Sequence, residues 1–235
     1  MAVGRIVGRN VERHFGRTRV LTRASFELLS KQSILLLGQN GAGKSTLLSL
    51  LAGLDRPDGG EILLDDAPLG LDHRREIGFL AHDSRCYADL TAHENLLLVA
   101  RLCGVPDAAQ AAAEMVKHVD LVAAADRPAR TYSRGMLQRL ALGRALIHRP
   151  SVLLLDEPFT GLDRESQERL RTTLLAERAR GTLLCLVSHD LQALDGICDR
   201  VLGIRRGRVE ELAAAGAARS AAELIEIYAA YSARS

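Results

Sequence analysis

Short unbroken apolar runs alternate with longer amphipathic stretches along this chain, the pattern of strands buried on both faces and joined by helices. Ser33-Ile34-Leu35-Leu36-Leu37, Ser151-Val152-Leu153-Leu154-Leu155 and Leu183-Leu184-Cys185-Leu186-Val187 are continuous runs of strand length. A charged helical stretch from about Arg164 to Ala179 separates the last two, which predicts crossover units and a parallel sheet. Residues 3–37 mix β-like segments with turn residues such as Phe15-Gly16. Glu61-Ile62-Leu63-Leu64 is strand-like between turn-rich flanks, and Ile77-Gly78-Phe79-Leu80 is a further buried-strand candidate. Together these segments predict a small antiparallel sheet built from both sides of a helix that begins near Ser45.

From about Ala92 to Ala124 the composition shifts to Ala, Leu and Glu at helical spacing, broken at Gly104-Val105-Pro106. This predicts a helical subdomain, over about 84–149 in all, inserted into a domain spanning 3–210. Residues 211–235 form a separate helical tail. There Ser220-Ala221-Ala222-Glu223 has the form of a capping box, and Ala221, Leu224, Ile225, Tyr228 and Tyr231 fall on one helical face. That face suits docking on its own domain or contact with a second subunit.

Composition narrows the classes. The chain has 235 residues and a formal net charge of +2, which argues against nucleic acid as the main partner. Arg205-Arg206-Gly207-Arg208 is the densest basic spot, short enough to be a solvated turn. Cys86, Cys103, Cys185 and Cys198 show no C-x-x-C pairing, so neither a disulfide framework nor a zinc site is expected, and a reducing cytoplasm is the expected setting. The opening Met1-Ala2-Val3-Gly4-Arg5 is not the start of a secretory signal, and no apolar run is long enough to span a bilayer. A membrane role is expected to come through a partner.

The first candidate chemistry lies directly after the run ending at Leu37. Gly38-Gln39-Asn40-Gly41-Ala42-Gly43-Lys44-Ser45-Thr46 fits G-x-x-x-x-G-K-[ST], between a predicted strand and a predicted helix. The glycines let successive N–H groups face one anion, and the helix N-terminus adds its partial positive charge there. Lys44 is placed to reach the β- and γ-phosphates, and the Ser45 hydroxyl to ligate Mg²⁺. The pattern predicts binding of a nucleoside triphosphate.

A nucleotide loop also needs a metal carboxylate and a way to activate water. Leu155 is followed by Asp156-Glu157-Pro158, two acids at the end of a buried strand. Buried acids are costly unless paired or metal-bound, so they should serve a site. On a parallel sheet this strand end faces the edge where ligands collect. Asp156 is assigned to the Mg²⁺ shell and Glu157 to polarising the attacking water as general base, with capping of the next loop as the alternative for Glu157.

With these motifs in order, the chain resembles the ABC ATPase family, the nucleotide-binding subunits of ATP-driven transporters, over roughly residues 3–210. Tyr132-Ser133-Arg134-Gly135-Met136 stands in the place of the L-S-G-G-Q signature. Gly161-Leu162-Asp163 matches the D-loop, and Ser188-His189-Asp190 the switch histidine. The resemblance implies an α/β P-loop NTPase with a parallel-sheet core, a small antiparallel β subdomain and an inserted helical subdomain. It implies that Phe15 stacks on adenine and that His189 contacts the γ-phosphate. Ser133, Gly135 and Asp163 would act on ATP held by a second nucleotide-binding subunit, so the working unit is a dimer. Ser133 is also placed to cap a helix running from about Arg134 to His148. Integral membrane permease subunits are the implied partners, on the cytoplasmic face of the inner membrane.

Two departures stand out. Arg134 replaces the first signature glycine and Met136 the glutamine. His82, in Phe79-Leu80-Ala81-His82-Asp83, stands where most of the family has a glutamine that senses Mg²⁺ and water. His82 is therefore a further candidate for the catalytic machinery. With Leu90-Thr91-Ala92-His93-Glu94-Asn95-Leu96 and Asp156-Glu157-Pro158-Phe159-Thr160-Gly161-Leu162-Asp163, it resembles the CcmA-type haem-exporter ATPases of cytochrome c maturation. The Ser133–Met136 variant is also similar to subunits of drug and polysaccharide exporters. A P-loop small-molecule kinase is the alternative of a different class, and it leaves the signature and switch histidine unexplained.

Overall fold

The computed structural model describes residues 3–233; Met1, Ala2, Arg234 and Ser235, the ends of the predicted opening segment and tail, lie outside the described residues. In chain order the strands and helices are β1 (Arg5–Phe15), β2 (Thr18–Leu29), β3 (Ser33–Leu37), α1 (Lys44–Leu51), β4 (Gly59–Leu64), β5 (Ala67–Pro68) and β6 (Ile77–Leu80). Then come α2 (Ala92–Leu102), α3 (Ala108–His118), α4 (Arg134–Leu146), β7 (Val152–Asp156), α5 (Arg164–Arg180), β8 (Leu183–Val187), β9 (Arg200–Arg205), β10 (Arg208–Ala213) and α6 (Ala221–Ser232).

Two sheets result. One is antiparallel, in the order β2-β1-β4-β5. The other runs β10-β9-β3-β8-β7-β6, parallel from β9 through β6, with β10 antiparallel at one edge. Every residue of β3, β7 and β8 is buried, which is why these strands read as unbroken apolar runs. Their side chains alternate between two cores. Ile34 and Leu36 pack with the antiparallel sheet and α1, while Leu35 and Leu37 pack with residues of α4, α5 and α6.

Ile77–Leu80, grouped by sequence with the antiparallel segments, instead pairs in parallel with β7. Its continuous apolar character suits a strand covered on both faces. Gly78 allows that cover, because a Cβ there would lie 2.2 Å from the Ala145 carbonyl oxygen of α4.

The helices α2, α3 and α4 share a third core around Leu96, Val116 and Leu140. The tail helix α6 begins at a Ser220–Glu223 capping box, as its sequence predicts. Its buried stripe is rotated from the predicted face. Leu224 and Tyr231 are buried and Ile227 packs beside them, whereas Ile225 and Tyr228 face solvent. The Tyr231 hydroxyl donates to the Ile204 carbonyl oxygen at 2.7 Å, fixing which side turns inward. Among the described residues no helix is long and apolar enough to cross a membrane.

Candidate active site

Four adjacent parallel strands deliver the site from their carboxyl ends. β3 leads into the loop 38–43, β8 into Ser188-His189, β7 ends at Asp156, and β6 is followed by His82. Because neighbouring strands lie about 4.8 Å apart, these groups are spread along one edge of the sheet in that lateral order. β8 intervenes between β3 and β7, so His189 enters between the phosphate loop and the paired acids.

A cavity of about 630 Å³ collects them. Its walls include Asn40, Gly41, Gly43, Lys44, Ser45 and Thr46 from the loop and the start of α1, with Asp156, Glu157, His82 and His189 opposite and Phe15 and Val20 from the antiparallel sheet. Gly38, Gln39 and Ala42 belong to the same loop without lining the cavity. The loop's turn depends on Gly43, which precedes α1 at φ +105°; a Cβ there would lie 3.0 Å from Val20 Cγ1. Lys44 is buried, and its Nζ donates to the carbonyl oxygens of Gly38 at 2.7 Å and Gln39 at 3.1 Å. Burial lowers its pKa from the ordinary lysine value, opposed by the charges of Glu157 and Asp156.

Asp156 is buried at the carboxyl end of β7. Glu157 follows it at φ +54°, a left-handed backbone that turns the chain as the strand ends. Its N–H donates to the Val187 carbonyl oxygen at 2.8 Å, tying the turn to β8. Its carboxylate accepts the His189 N–H at 3.2 Å, with His189 Nε2 3.5 Å from the other oxygen. Burial pushes the Glu157 carboxyl above the usual carboxylate range, against the lowering effects of the His189 N–H and of the His189 and Lys44 charges. A carboxylate so shifted is a better proton acceptor near neutral pH.

The donor set fits Mg²⁺. Among the described residues no group of three or more His, Cys, Asp or Glu side chains is placed to hold a metal ion. Mg²⁺ does not need such a cage, since it is usually held by one or two carboxylates with phosphate oxygens and waters. Buried Asp156 and the Ser45 hydroxyl line the same cavity and are suited to that sparse ligation.

Ser133, Gly135 and Asp163 do not line this cavity. Ser133 caps α4, its hydroxyl accepting the Met136 N–H at 3.3 Å, and Asp163 caps α5 by accepting the Ser166 N–H at 2.8 Å. That bond holds the Asp163 carboxyl below the usual range. The Arg134 side chain lies against Gly161, so within one chain the signature turn packs on the D-loop.

Sequence reasoning missed two polar contributors here. Thr160 lines the cavity two residues beyond Pro158. Gln138, buried on α4, donates from Nε2 to the carbonyl oxygens of Glu157 at 3.3 Å and Pro158 at 3.0 Å. A polar residue among the buried positions of a core-facing helix was the available signal.

Residues 21–160 match the family model described as ABC transporter. The chain belongs to the ABC transporter family. It is the ATPase cassette of that family. It is 33% identical over 205 residues, 85% of its length, to the linearmycin resistance ATP-binding protein LnrL of Bacillus subtilis, and covers 66% of that protein. It is 39% identical over 219 residues, 88% of its length, to the Nod factor export ATP-binding protein I of Burkholderia lata, and covers 70% of it. The chain thus spans about two thirds of the length of these curated relatives. A dimeric ATP-binding cassette solved in a post-hydrolysis state with ADP and phosphate superposes with a TM-score of 0.79 at 25% identity, covering 89% of this chain and 99% of that one.

Proposed function

We propose that this cassette hydrolyses ATP, with Mg²⁺, to drive export across a membrane. Two copies would close around two nucleotides, docked on integral membrane permease subunits at the cytoplasmic face. The observation that carries the reading is the half-buried Glu157 carboxylate, hydrogen-bonded to His189 in the cavity that also holds Lys44 and Ser45. In this reading Lys44 and the N–H groups of residues 38–46 bind the phosphates, Phe15 stacks on adenine, and Ser45 and Asp156 hold the metal. When bound, Mg²⁺ supplies charge neutralisation to the β- and γ-phosphate oxygens. Glu157 takes the proton of the attacking water, His189 holds Glu157 and reaches the γ-phosphate, and His82 orients water near the metal. Ser133, Gly135 and Asp163 serve the nucleotide of the opposite copy from the N-termini of α4 and α5.

The test is Glu157→Gln with saturating Mg-ATP. It should accumulate an ATP-bound dimer on size-exclusion chromatography, and a variant that stays monomeric with its permease present would overturn the sandwich.

Two cargoes have support. Haem export for c-type cytochrome assembly rests on His82 and the segments Leu90–Leu96 and Asp156–Asp163. Export of a drug or polysaccharide rests on the Ser133–Met136 variant and on the relatives named for linearmycin resistance and Nod factor export. The chain reconstituted in vesicles with its co-purifying permease separates them. Stimulation of ATP turnover by haem alone supports the first, and stimulation by a drug or polysaccharide but not haem supports the second.

A further inference from the structure

Phe15 closes the base end of the proposed nucleotide cavity, and something must keep an exposed aromatic ring in place there. Phe15 is 52% exposed. The Arg13 guanidinium lies over it, with Cζ 4.8 Å from the ring centroid. That guanidinium is itself held twice. Arg13 Nη2 donates to Asp55 Oδ2 at 2.6 Å, and Nη1 donates to Asp58 Oδ1 at 3.0 Å. Asp58 also accepts the His14 N–H at 2.7 Å, and its own N–H donates to the Glu12 carbonyl oxygen at 2.8 Å. Arg13, His14 and Phe15 are therefore fastened together at the end of β1. Only 18% of the Arg13 side chain is exposed, so little entropy is left to lose when the ring is loaded.

We propose that Arg13 is a positioning residue for the nucleotide base, held by Asp55 and Asp58 so that Phe15 presents one fixed face to adenine. A cation over one face of a ring draws π density toward itself and leaves the opposite face better suited to an electron-rich purine. Asp55 and Asp58 lie in the short connection between α1 and β4, and α1 begins at Lys44. One continuous segment thus links the phosphate end of the cavity to the base platform. The inference rests on the reading of Phe15 as the adenine platform, and the experiment separates the two.

The full chain is titrated calorimetrically with the Mg²⁺ complexes of a non-hydrolysable ATP analogue and of tripolyphosphate, which lacks base and ribose. Arg13→Met keeps the aliphatic stem and removes the charge; it should weaken the nucleotide about three- to tenfold and leave tripolyphosphate unchanged. The double variant Asp55→Asn/Asp58→Asn, which removes both charges that hold the guanidinium, should shift the same ratio in the same direction. A merely structural role would weaken both ligands together and lower the melting temperature in step. Equal loss for both ligands, or no loss for either, while Phe15→Ala remains selective for the nucleotide, overturns the positioning role and leaves Phe15 as the platform. If Phe15→Ala weakens neither ligand, the platform itself is wrong and the role of Arg13 falls with it.

Discussion

His189 grips Glu157 twice, through its N–H to one carboxylate oxygen at 3.2 Å and through ring Nε2, 3.5 Å from the other. The two residues come from the ends of neighbouring strands, β7 and β8, which pair in parallel with Asp156 opposite Val187. The sheet register itself therefore sets where the carboxylate stands. A general base held this way is worth about 10²- to 10⁴-fold in rate. Glu157→Gln should lower ATP turnover by that order while nucleotide still binds, as measured by steady-state phosphate release beside calorimetric titration.

The same carboxylate carries a stability consequence. Its pKa is raised in the folded protein, chiefly by burial. A carboxyl shifted upward contributes stability below its unfolded pKa, and that contribution is lost as pH rises through the folded value. At neutral pH the ionised group is a net cost in the nucleotide-free protein. Glu157→Gln should therefore melt higher than the wild type at pH 7 to 8, by about 2–4 °C for each kcal/mol recovered. The difference should shrink as pH falls through the folded pKa. A variant that melts lower across that range would contradict the burial argument.

Turnover should follow the same titration. Only ionised Glu157 accepts a proton from water, so kcat/KM at fixed Mg²⁺ should fall on the acid side with an apparent pKa above the ordinary glutamate value of about 4.3. In Glu157→Gln the acid limb should disappear from whatever residual rate remains. An acid limb unchanged in the variant would assign it to another group.

His82 lines the cavity from the loop after β6 and is exposed, so its replacement should not disturb folding. A ring nitrogen there is able to hydrogen-bond a water, as a glutamine amide would, whereas a methyl group is not. His82→Gln should retain ATPase activity and His82→Ala should lose most of it. Equal turnover for wild type and His82→Ala would remove His82 from the mechanism.

These predictions draw on residues of unequal legibility. The phosphate loop is readable because its chemistry demands fixed residue types at fixed spacing, and β3, β7 and β8 are readable because double-sided burial leaves a continuous apolar run with polar residues only at strand ends. Strand order is another matter. The position of β8 between β3 and β7 depends on how the crossovers wind, which no local period encodes. For the same reason Ile77–Leu80 could be recognised as a strand but not allotted to its sheet. The tail shows a subtler failure: with apolar residues at 224, 225, 227, 228 and 231, two helical faces compete, and the Tyr231–Ile204 bond selects one. The Arg13 clamp joins residues over forty positions apart, so it exists only once the antiparallel sheet has formed.

Gln138 gives the sharpest test of how α4 supports the catalytic turn. Its side-chain amide donates to two successive carbonyl oxygens, those of Glu157 and Pro158, from a buried position. Glu157 adopts a left-handed backbone that is unfavourable for its residue type, so outside bonds must hold it there. Gln138→Leu keeps similar bulk but removes the donor and leaves those carbonyls without it, a loss of about 1–3 kcal/mol. The turn should relax and carry the carboxylate out of line, while Lys44 and the loop 38–43, which Gln138 does not touch, continue to bind phosphate. Gln138→Leu should therefore lower kcat severalfold or more with little change in KM for ATP. Gln138→Glu, which keeps the shape but points a carboxylate at two carbonyl oxygens, should be worse than leucine at neutral pH. A variant that raised KM and left kcat intact would place Gln138 in nucleotide binding instead of in the support of Glu157.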